Sequence, residues 1–141
     1  MLDLKVQDGA GGHFQLSRFK GSALLVNFWA TWCRPCVAEL PHLESLYQKV
    51  GKEPGVEILG LCVDEGGEPA RILANMRQQG LSLPLAFETQ GLATRSFGVA
   101  TIPTSLLVTP GWVVRHVVSG ARDWSNDQWA RGLRLMRDEG A

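Results

Sequence analysis

The chain has 141 residues, of which 45% are hydrophobic, and its fourteen basic residues balance fourteen acidic ones. A chain of this length is typical of one domain with its own core, and we expect a single domain over residues 1–141, with residues 1–20 as an N-terminal hairpin extension. The zero net charge gives no electrostatic basis for binding nucleic acid or a membrane surface.

The first half of the chain predicts a hairpin, a buried strand, a long helix and a second buried strand. Residues 4–7 and 13–16 alternate in polarity around a glycine-rich turn, which is typical of a hairpin. Residues 23–29 form a continuous apolar run, and residues 37–50 space their apolar side chains as a helix does. Residues 56–63 form a second apolar run, as expected of a strand with helices on both faces.

The second half predicts two helices around a short strand, then a hairpin and a last helix. Residues 69–79 and 89–97 are the predicted helices, each closed by a glycine, and residues 83–87 form the extended segment between them. Residues 105–109 and 113–119 are apolar strands joined across a proline-glycine turn. The last predicted helix follows this hairpin.

Two of the three cysteines, Cys33 and Cys36, lie at the turn from the first strand to the first helix. Two thiols at this spacing can close a disulfide, and the unpaired N–H groups at a helix start can stabilise a thiolate on Cys33. Cys36 is the more sheltered thiol, so the pair has the asymmetry that thiol-disulfide exchange requires. Cys62 lies in the second strand, where we expect it to be a small hydrophobic residue.

The same cysteine spacing also occurs in zinc sites and structural disulfides. A zinc site normally has four clustered ligands, and the three histidines, His13, His42 and His116, are scattered along the chain, so no metal site is expected. Two such thiols can nevertheless bind a soft ion such as Cu(I). A non-enzymatic copper-binding or chaperone protein that uses the same cysteines is therefore the alternative function.

Two segments resemble the thioredoxin superfamily. The run Phe-Trp-Ala-Thr-Trp-Cys-Arg-Pro-Cys at residues 28–36 resembles its active site, and Thr-Ile-Pro-Thr at residues 101–104 resembles its cis-proline loop. The N-terminal hairpin and the inserted segment at residues 62–97 resemble the TlpA/ResA branch, bacterial thiol-disulfide oxidoreductases that typically face the periplasm or outer surface. The resemblance implies an α/β, thioredoxin-like fold, in which helices flank a mixed central sheet with an N-terminal β-hairpin and a central insertion.

The resemblance also implies catalytic roles. Cys33 is the attacking thiol, and Cys36 is the resolving thiol. Glu65 matches the position of an active-site glutamate in ResA-like proteins, and if partly buried it would carry a proton for Cys36; the alternative is a solvated loop carboxylate. Asn27 stands where many thioredoxins have a buried aspartate, and an amide cannot exchange protons in its place.

Partner binding is implied at Trp32, Ile102 and Pro103. Pro103 is expected to follow a cis peptide bond, which would turn the backbone of Ile102 toward an incoming polypeptide. Trp32 is expected to add apolar surface beside the thiols. These three residues are the predicted substrate-binding residues.

The implied function is that of an enzyme, a thiol-disulfide oxidoreductase that exchanges the Cys33–Cys36 pair with protein partners. The resemblance favours a monomeric reductant of the bacterial cell envelope, acting in cytochrome c maturation or general thiol reduction and supplied by an upstream electron donor protein. No bound cofactor is expected, because the cysteine pair itself carries the electrons. The sequence has neither a membrane span nor a signal-peptide pattern, so we expect either a cytoplasmic protein or the mature part of one that is periplasmic or membrane-anchored facing the periplasm.

Overall fold

The computed structural model describes residues 1–140, in which strands and helices alternate after an N-terminal hairpin except for a second hairpin before the last helix. A short 3-10 turn, Leu16–Phe19, lies between the second and third strands. In chain order the elements are β1 (Lys5–Gln7), β2 (His13–Gln15), β3 (Ala23–Trp29), α1 (Arg34–Val50), β4 (Val56–Cys62), α2 (Pro69–Gln78), β5 (Leu85–Phe87), α3 (Leu92–Ser96), β6 (Thr104–Val108), β7 (Val114–Ser119) and α4 (Asp127–Glu139).

The strands of residues 1–140 form one seven-stranded mixed sheet in the order β2-β1-β5-β4-β3-β6-β7. β3, β4 and β5 are parallel, while β6 is antiparallel to β3 and β7 is antiparallel to β6. The central insertion supplies α2, β5 and α3, and β5 joins the N-terminal hairpin to the rest of the sheet by pairing with β1. The predicted α/β architecture, with its hairpin and insertion, is confirmed.

β3 is the strand around which both faces of the sheet are packed, because all seven of its residues are buried. Leu25 and Trp29 contribute to a cluster with apolar residues of α1 and α4, whereas Val26 and Phe28 contribute to a second cluster with the 3-10 turn and α3. Burial on both faces explains the continuous apolar run in the sequence. The turn that carries the cysteine pair therefore starts from a fully buried strand.

Two helices differ from their predicted bounds for local reasons. α1 begins three residues before the predicted start because Cys33 is its N-cap and Pro35 lies in its first turn, where no N–H is needed. α3 is shorter than the predicted helix 89–97. The Glu88 carboxylate accepts a hydrogen bond from the backbone N–H of Ala93, and the N-cap Gly91 has a left-handed φ of 73°, so the helix begins only at Leu92.

None of the helices in residues 1–140 combines the length and the apolar character needed to cross a membrane.

Candidate active site

Cys33 and Cys36 form a disulfide at the start of α1, with their Cα atoms 5.3 Å apart. Cys33 is the N-cap of the helix and has an extended backbone, and Cys36 lies within the first turn. The two sulfur-bearing residues are not equally accessible, since Cys33 retains 7% of its surface and Cys36 none. The predicted asymmetry between an outer and an inner cysteine is therefore present in the structure.

The loop before β6 lies against the outer cysteine. The Ile102–Pro103 peptide bond is cis. Sγ of Cys33 lies 3.9 Å from the carbonyl oxygen of Ile102. β6 pairs with β3 so that Thr104 lies opposite Phe28, which brings the loop next to the turn that carries the cysteines. Two of the predicted substrate-binding residues, Ile102 and Pro103, thus lie beside the disulfide.

A groove of about 330 Å³ opens in the same region, lined by Trp32, Val63, Glu65, Ile102 and neighbouring residues of α3 and the loop that follows it. Trp32 is 73% exposed, so its indole forms an apolar wall rather than part of the core. The groove brings together three of the residues singled out in the sequence, namely Trp32, Glu65 and Ile102. Through Ile102, which also contacts Cys33, it provides apolar contact surface and one carboxylate in the neighbourhood of the outer cysteine.

Glu65 does not have the partial burial on which its proposed role as proton carrier for Cys36 depends. Its side chain is exposed in the loop after β4. Its carboxylate lies beside Gly91, where a side chain on the glycine would collide with it, and the guanidinium of Arg95 approaches the same point. Glu65 therefore faces solvent and the groove, on the outer side of the cysteine pair.

A buried carboxylate, Glu39, lies on the inner side instead, and sequence reasoning missed it. Glu39 is only 2% exposed. Its Oε1 accepts a hydrogen bond from Nδ2 of Asn27 at 2.8 Å, and its Oε2 accepts from the backbone N–H of Arg122 at 2.8 Å and from Nε1 of Trp124 at 2.7 Å. Nδ2 of Asn27 also donates to Oγ of Ser105 at 2.9 Å.

This network links α1, β3, β6 and the segment before α4 one helical turn from Cys36. The sequence carries a signal for it: Glu39 follows Cys36 by three residues and shares a face of α1 with Leu40 and Leu43, so a charged residue stands on an apolar stripe. A charge at such a position is stable only when hydrogen bonds satisfy it. Asn27 therefore acts as a donor to a carboxylate.

The third cysteine, Cys62, is a free thiol that is 1% exposed at the end of β4. The pKa of Cys62 is raised to about 12, chiefly because burial disfavours the thiolate. The backbone N–H of Asp64 lowers this pKa in part, whereas the charge of the Asp64 carboxylate and its hydrogen bond with the thiol raise it by smaller amounts. At neutral pH Cys62 is therefore protonated and is a poor nucleophile. Its position in the core agrees with the prediction of a small hydrophobic residue.

Comparison with known proteins identifies the class to which this fold and site belong. A sequence model described as the AhpC/TSA family matches residues 1–117, most of the chain, and the chain belongs to this family.

Individual relatives show which proteins of known name the chain resembles. The chain is 36% identical over 115 residues to the thiol-disulfide oxidoreductase ResA of Bacillus thuringiensis subsp. konkukian, covering 82% of this chain and 65% of the relative. It is 34% identical over 116 residues to ResA of Bacillus subtilis (strain 168), covering 82% of this chain and 63% of the relative. The matched region thus spans somewhat less than two thirds of the length of these relatives.

Solved structures share the same fold. A thiol:disulfide interchange protein of the thioredoxin family from Chlorobium tepidum TLS superposes with a TM-score of 0.77 and 25% identity, covering 96% of this chain and 93% of the other. A secreted thiol-disulfide isomerase from Corynebacterium glutamicum superposes with a TM-score of 0.81 and 21% identity, covering 96% and 84% of the two chains. The expected thioredoxin-like fold and the resemblance to ResA proteins are confirmed.

Proposed function

We propose that this chain is a thiol-disulfide oxidoreductase in which Cys33 attacks and Cys36 resolves. The observation that carries the proposal is the unequal pair at the start of α1, an outer cysteine at the N-cap and a fully buried one within the first turn. The N-cap position favours a thiolate on Cys33 because the first N–H groups of the helix and its dipole stabilise an anion there. The names of the ResA relatives support the same activity.

The exchange takes place in two steps. The Cys33 thiolate attacks one sulfur of a partner disulfide, so that a bond forms between Cys33 and the partner while the second partner sulfur leaves as a thiolate and takes up a proton. Cys36 then loses its proton and attacks Sγ of Cys33, which closes the Cys33–Cys36 disulfide and releases the other partner thiol. Two electrons pass to the partner, and an external dithiol must return the pair to its reduced form.

Residues around Cys33 supply the binding surface. Trp32 and Ile102 provide apolar walls, and the backbone next to Pro103 is available for hydrogen bonds with an extended partner segment. Glu65 completes the proposed catalytic set from the groove. Its exposure favours proton exchange with the partner sulfur that leaves, on the outer side, over proton exchange with the buried Cys36.

We further propose that the enzyme works as a reductant outside the cytoplasm, receives its electrons from an upstream donor protein and acts as a monomer. The similarity to ResA proteins supports a reductant that receives electrons from a donor protein. The fold shared with a protein described as secreted supports a location outside the cytoplasm. A domain that delivers two electrons in each cycle requires such a donor, whichever partner it reduces.

Reduction of insulin disulfides by the chain with dithiothreitol as electron source tests the activity. We expect turnover by the wild type and loss of turnover in Cys33→Ser. Anaerobic titration of the reduced protein with Cu(I) tests the alternative in parallel. Tight copper binding without any insulin reduction would reject the oxidoreductase and favour a copper-binding protein.

A further inference from the structure

Two hydrogen bonds tie the turn that precedes Cys33 to the neighbouring strand. The backbone N–H of Thr31 donates to Oδ1 of Asp64 at 2.8 Å, and the hydroxyl of Thr31 donates to Oδ2 of the same carboxylate. Trp29 at the end of β3 lies opposite Cys62 at the end of β4. Because the two parallel strands end side by side, a carboxylate two residues beyond β4 reaches a turn two residues beyond β3.

Ala30 is buried in the core, but the exposed residues that follow it, Thr31 and Trp32, have few other restraints. In this turn, the backbone N–H of Cys33 donates to the carbonyl of Ala30 at 3.2 Å. Trp32, which follows Thr31, is 73% exposed, so packing in the core does not fix its orientation. The contacts of Thr31 with Asp64 therefore hold the backbone on which both Trp32 and the outer cysteine are mounted.

We propose that Asp64 is a positioning residue of the thiol-disulfide exchange, acting through Thr31 to fix the turn that presents Cys33 and Trp32 to the partner. The inference rests on the proposed function. Exchange requires the attacking sulfur to approach a partner disulfide in a narrow range of directions, and small misplacements of a reacting group are costly to the rate. Loosening the turn should therefore slow the exchange even when the fold and the disulfide persist.

Asp64 could instead influence Cys33 through its negative charge, and Asp64→Asn separates the two explanations. The asparagine Oδ1 can still accept from the Thr31 N–H, and its Nδ2 can donate to the Thr31 hydroxyl. The positioning contacts are thus retained while the charge is removed. Asp64→Ala removes both, and Thr31→Val removes only the hydroxyl bond.

Asp3 offers a matched control. Its carboxylate makes the same pair of contacts with one residue, since Ser17 donates its backbone N–H to Oδ1 at 2.9 Å and its hydroxyl to Oδ2 at 2.7 Å. Ser17 lies in the 3-10 turn before β3, whereas Thr31 lies two residues beyond the end of that strand, so the Asp3–Ser17 pair belongs to a different segment from the cysteine turn. Asp3→Ala should remove a similar pair of hydrogen bonds while leaving the cysteine turn unchanged.

The experiment compares kcat/KM for insulin reduction, together with the thermal unfolding midpoint, in the wild type and these four variants. We expect a loss of about ten-fold in Asp64→Ala, a smaller loss in Thr31→Val, and values within about two-fold of wild type in Asp64→Asn and Asp3→Ala. If Asp64→Ala does not fold, the kcat/KM values of Thr31→Val and Asp3→Ala are compared instead. A lower value in Thr31→Val supports the positioning role, and equal values in the two variants contradict it.

Three results would overturn the inference: near wild-type rates in the variants that loosen the turn, an Asp64→Asn as slow as Asp64→Ala, or an equal loss in Asp3→Ala. A wild type that does not reduce insulin at all would reject the proposed function itself, which keeps the two failures distinct.

Discussion

The outer and inner sides of the cysteine pair are built in opposite ways. On the outer side, Cys33 lies against the carbonyl of Ile102, which lines an open groove together with Trp32 and Glu65, whose side chains are exposed. On the inner side, Cys36 is fully buried one helical turn from Glu39, which is satisfied by three N–H donors. The comparison suggests that the outer side serves the partner, whereas the inner side fixes the helix that holds both sulfurs. Substitutions on the inner side should therefore affect stability first, and those on the outer side the exchange rate.

Glu39→Ala should have the largest effect on stability. It leaves three N–H donors, on Asn27, Arg122 and Trp124, without their acceptor, and we expect the free energy of unfolding in urea to fall by about 3 kcal/mol or more. Glu44 on the same helix is the control, because its carboxylate also accepts from backbone N–H groups, those of Ser82 and Leu83, but at a partly exposed site. Glu44→Ala should cost about 1 kcal/mol. Equal losses in the two variants would remove the distinction between the buried network and a partly exposed contact.

Asn27→Asp tests the same buried network by placing a second carboxylate against Glu39. Two adjacent buried carboxylates cannot both ionise easily, so the pKa of the pair should be higher in the folded state than in the unfolded chain. We expect a loss of about 2 kcal/mol in unfolding free energy near neutral pH, as for a pKa raised from about 4 to about 5.5, and we expect its recovery as the pH falls from about 5.5 toward 4, since stability rises on acidification when the folded state binds more protons.

The exposed helix cap Asn126 is the matched control for Asn27→Asp. Its side chain accepts from the backbone N–H of Gln128, and an aspartate there caps the helix equally well. Asn126→Asp should therefore leave the stability unchanged over this pH range. A stability of Asn27→Asp that does not depend on pH would show that the two carboxylates do not interact.

Glu65→Gln tests the outer side and should have a smaller effect. Because the carboxylate is exposed, water can replace it in proton exchange, and we expect kcat/KM for insulin reduction to fall by about three-fold with no change in unfolding free energy. Glu68→Gln, a nearby exposed glutamate outside the groove, should leave the rate unchanged. Equal rates in Glu65→Gln and wild type would make Glu65 a solvated loop carboxylate.

Cys62 should have the smallest effect on exchange. With its pKa raised to about 12 and 1% of its surface exposed, it provides neither a thiolate nor access. We expect Cys62→Ala to reduce insulin at the wild-type rate, and iodoacetamide to modify Cys62 in the native reduced protein only after unfolding. Mass spectrometry of the labelled protein counts the reacted thiols. Rapid native labelling at Cys62 would contradict the assignment of a buried, protonated thiol.

Local patterns in the sequence were sufficient for most of the fold. The apolar run at residues 23–29 coincides with β3, and the C-x-x-C placed the disulfide at a helix start. The partners of Glu39 could not be predicted because Arg122 and Trp124 lie 83 and 85 residues further along the chain. The exposure of Glu65 was equally beyond local reasoning, since it depends on how the loop after β4 packs against Gly91. Contacts of this kind are set by tertiary packing, which local periodicity does not record.

Trapping of the mixed disulfide tests the assignment of the two cysteines most directly. Cys36→Ser keeps the outer thiol but lacks the sulfur that resolves the intermediate. When the reduced variant is incubated with insulin and analysed by intact mass under non-reducing conditions, we expect a covalent adduct that dithiothreitol removes, and no comparable adduct with Cys33→Ser. An adduct that forms equally well with Cys33→Ser, or none with Cys36→Ser, would contradict the roles of Cys33 as attacking and Cys36 as resolving thiol.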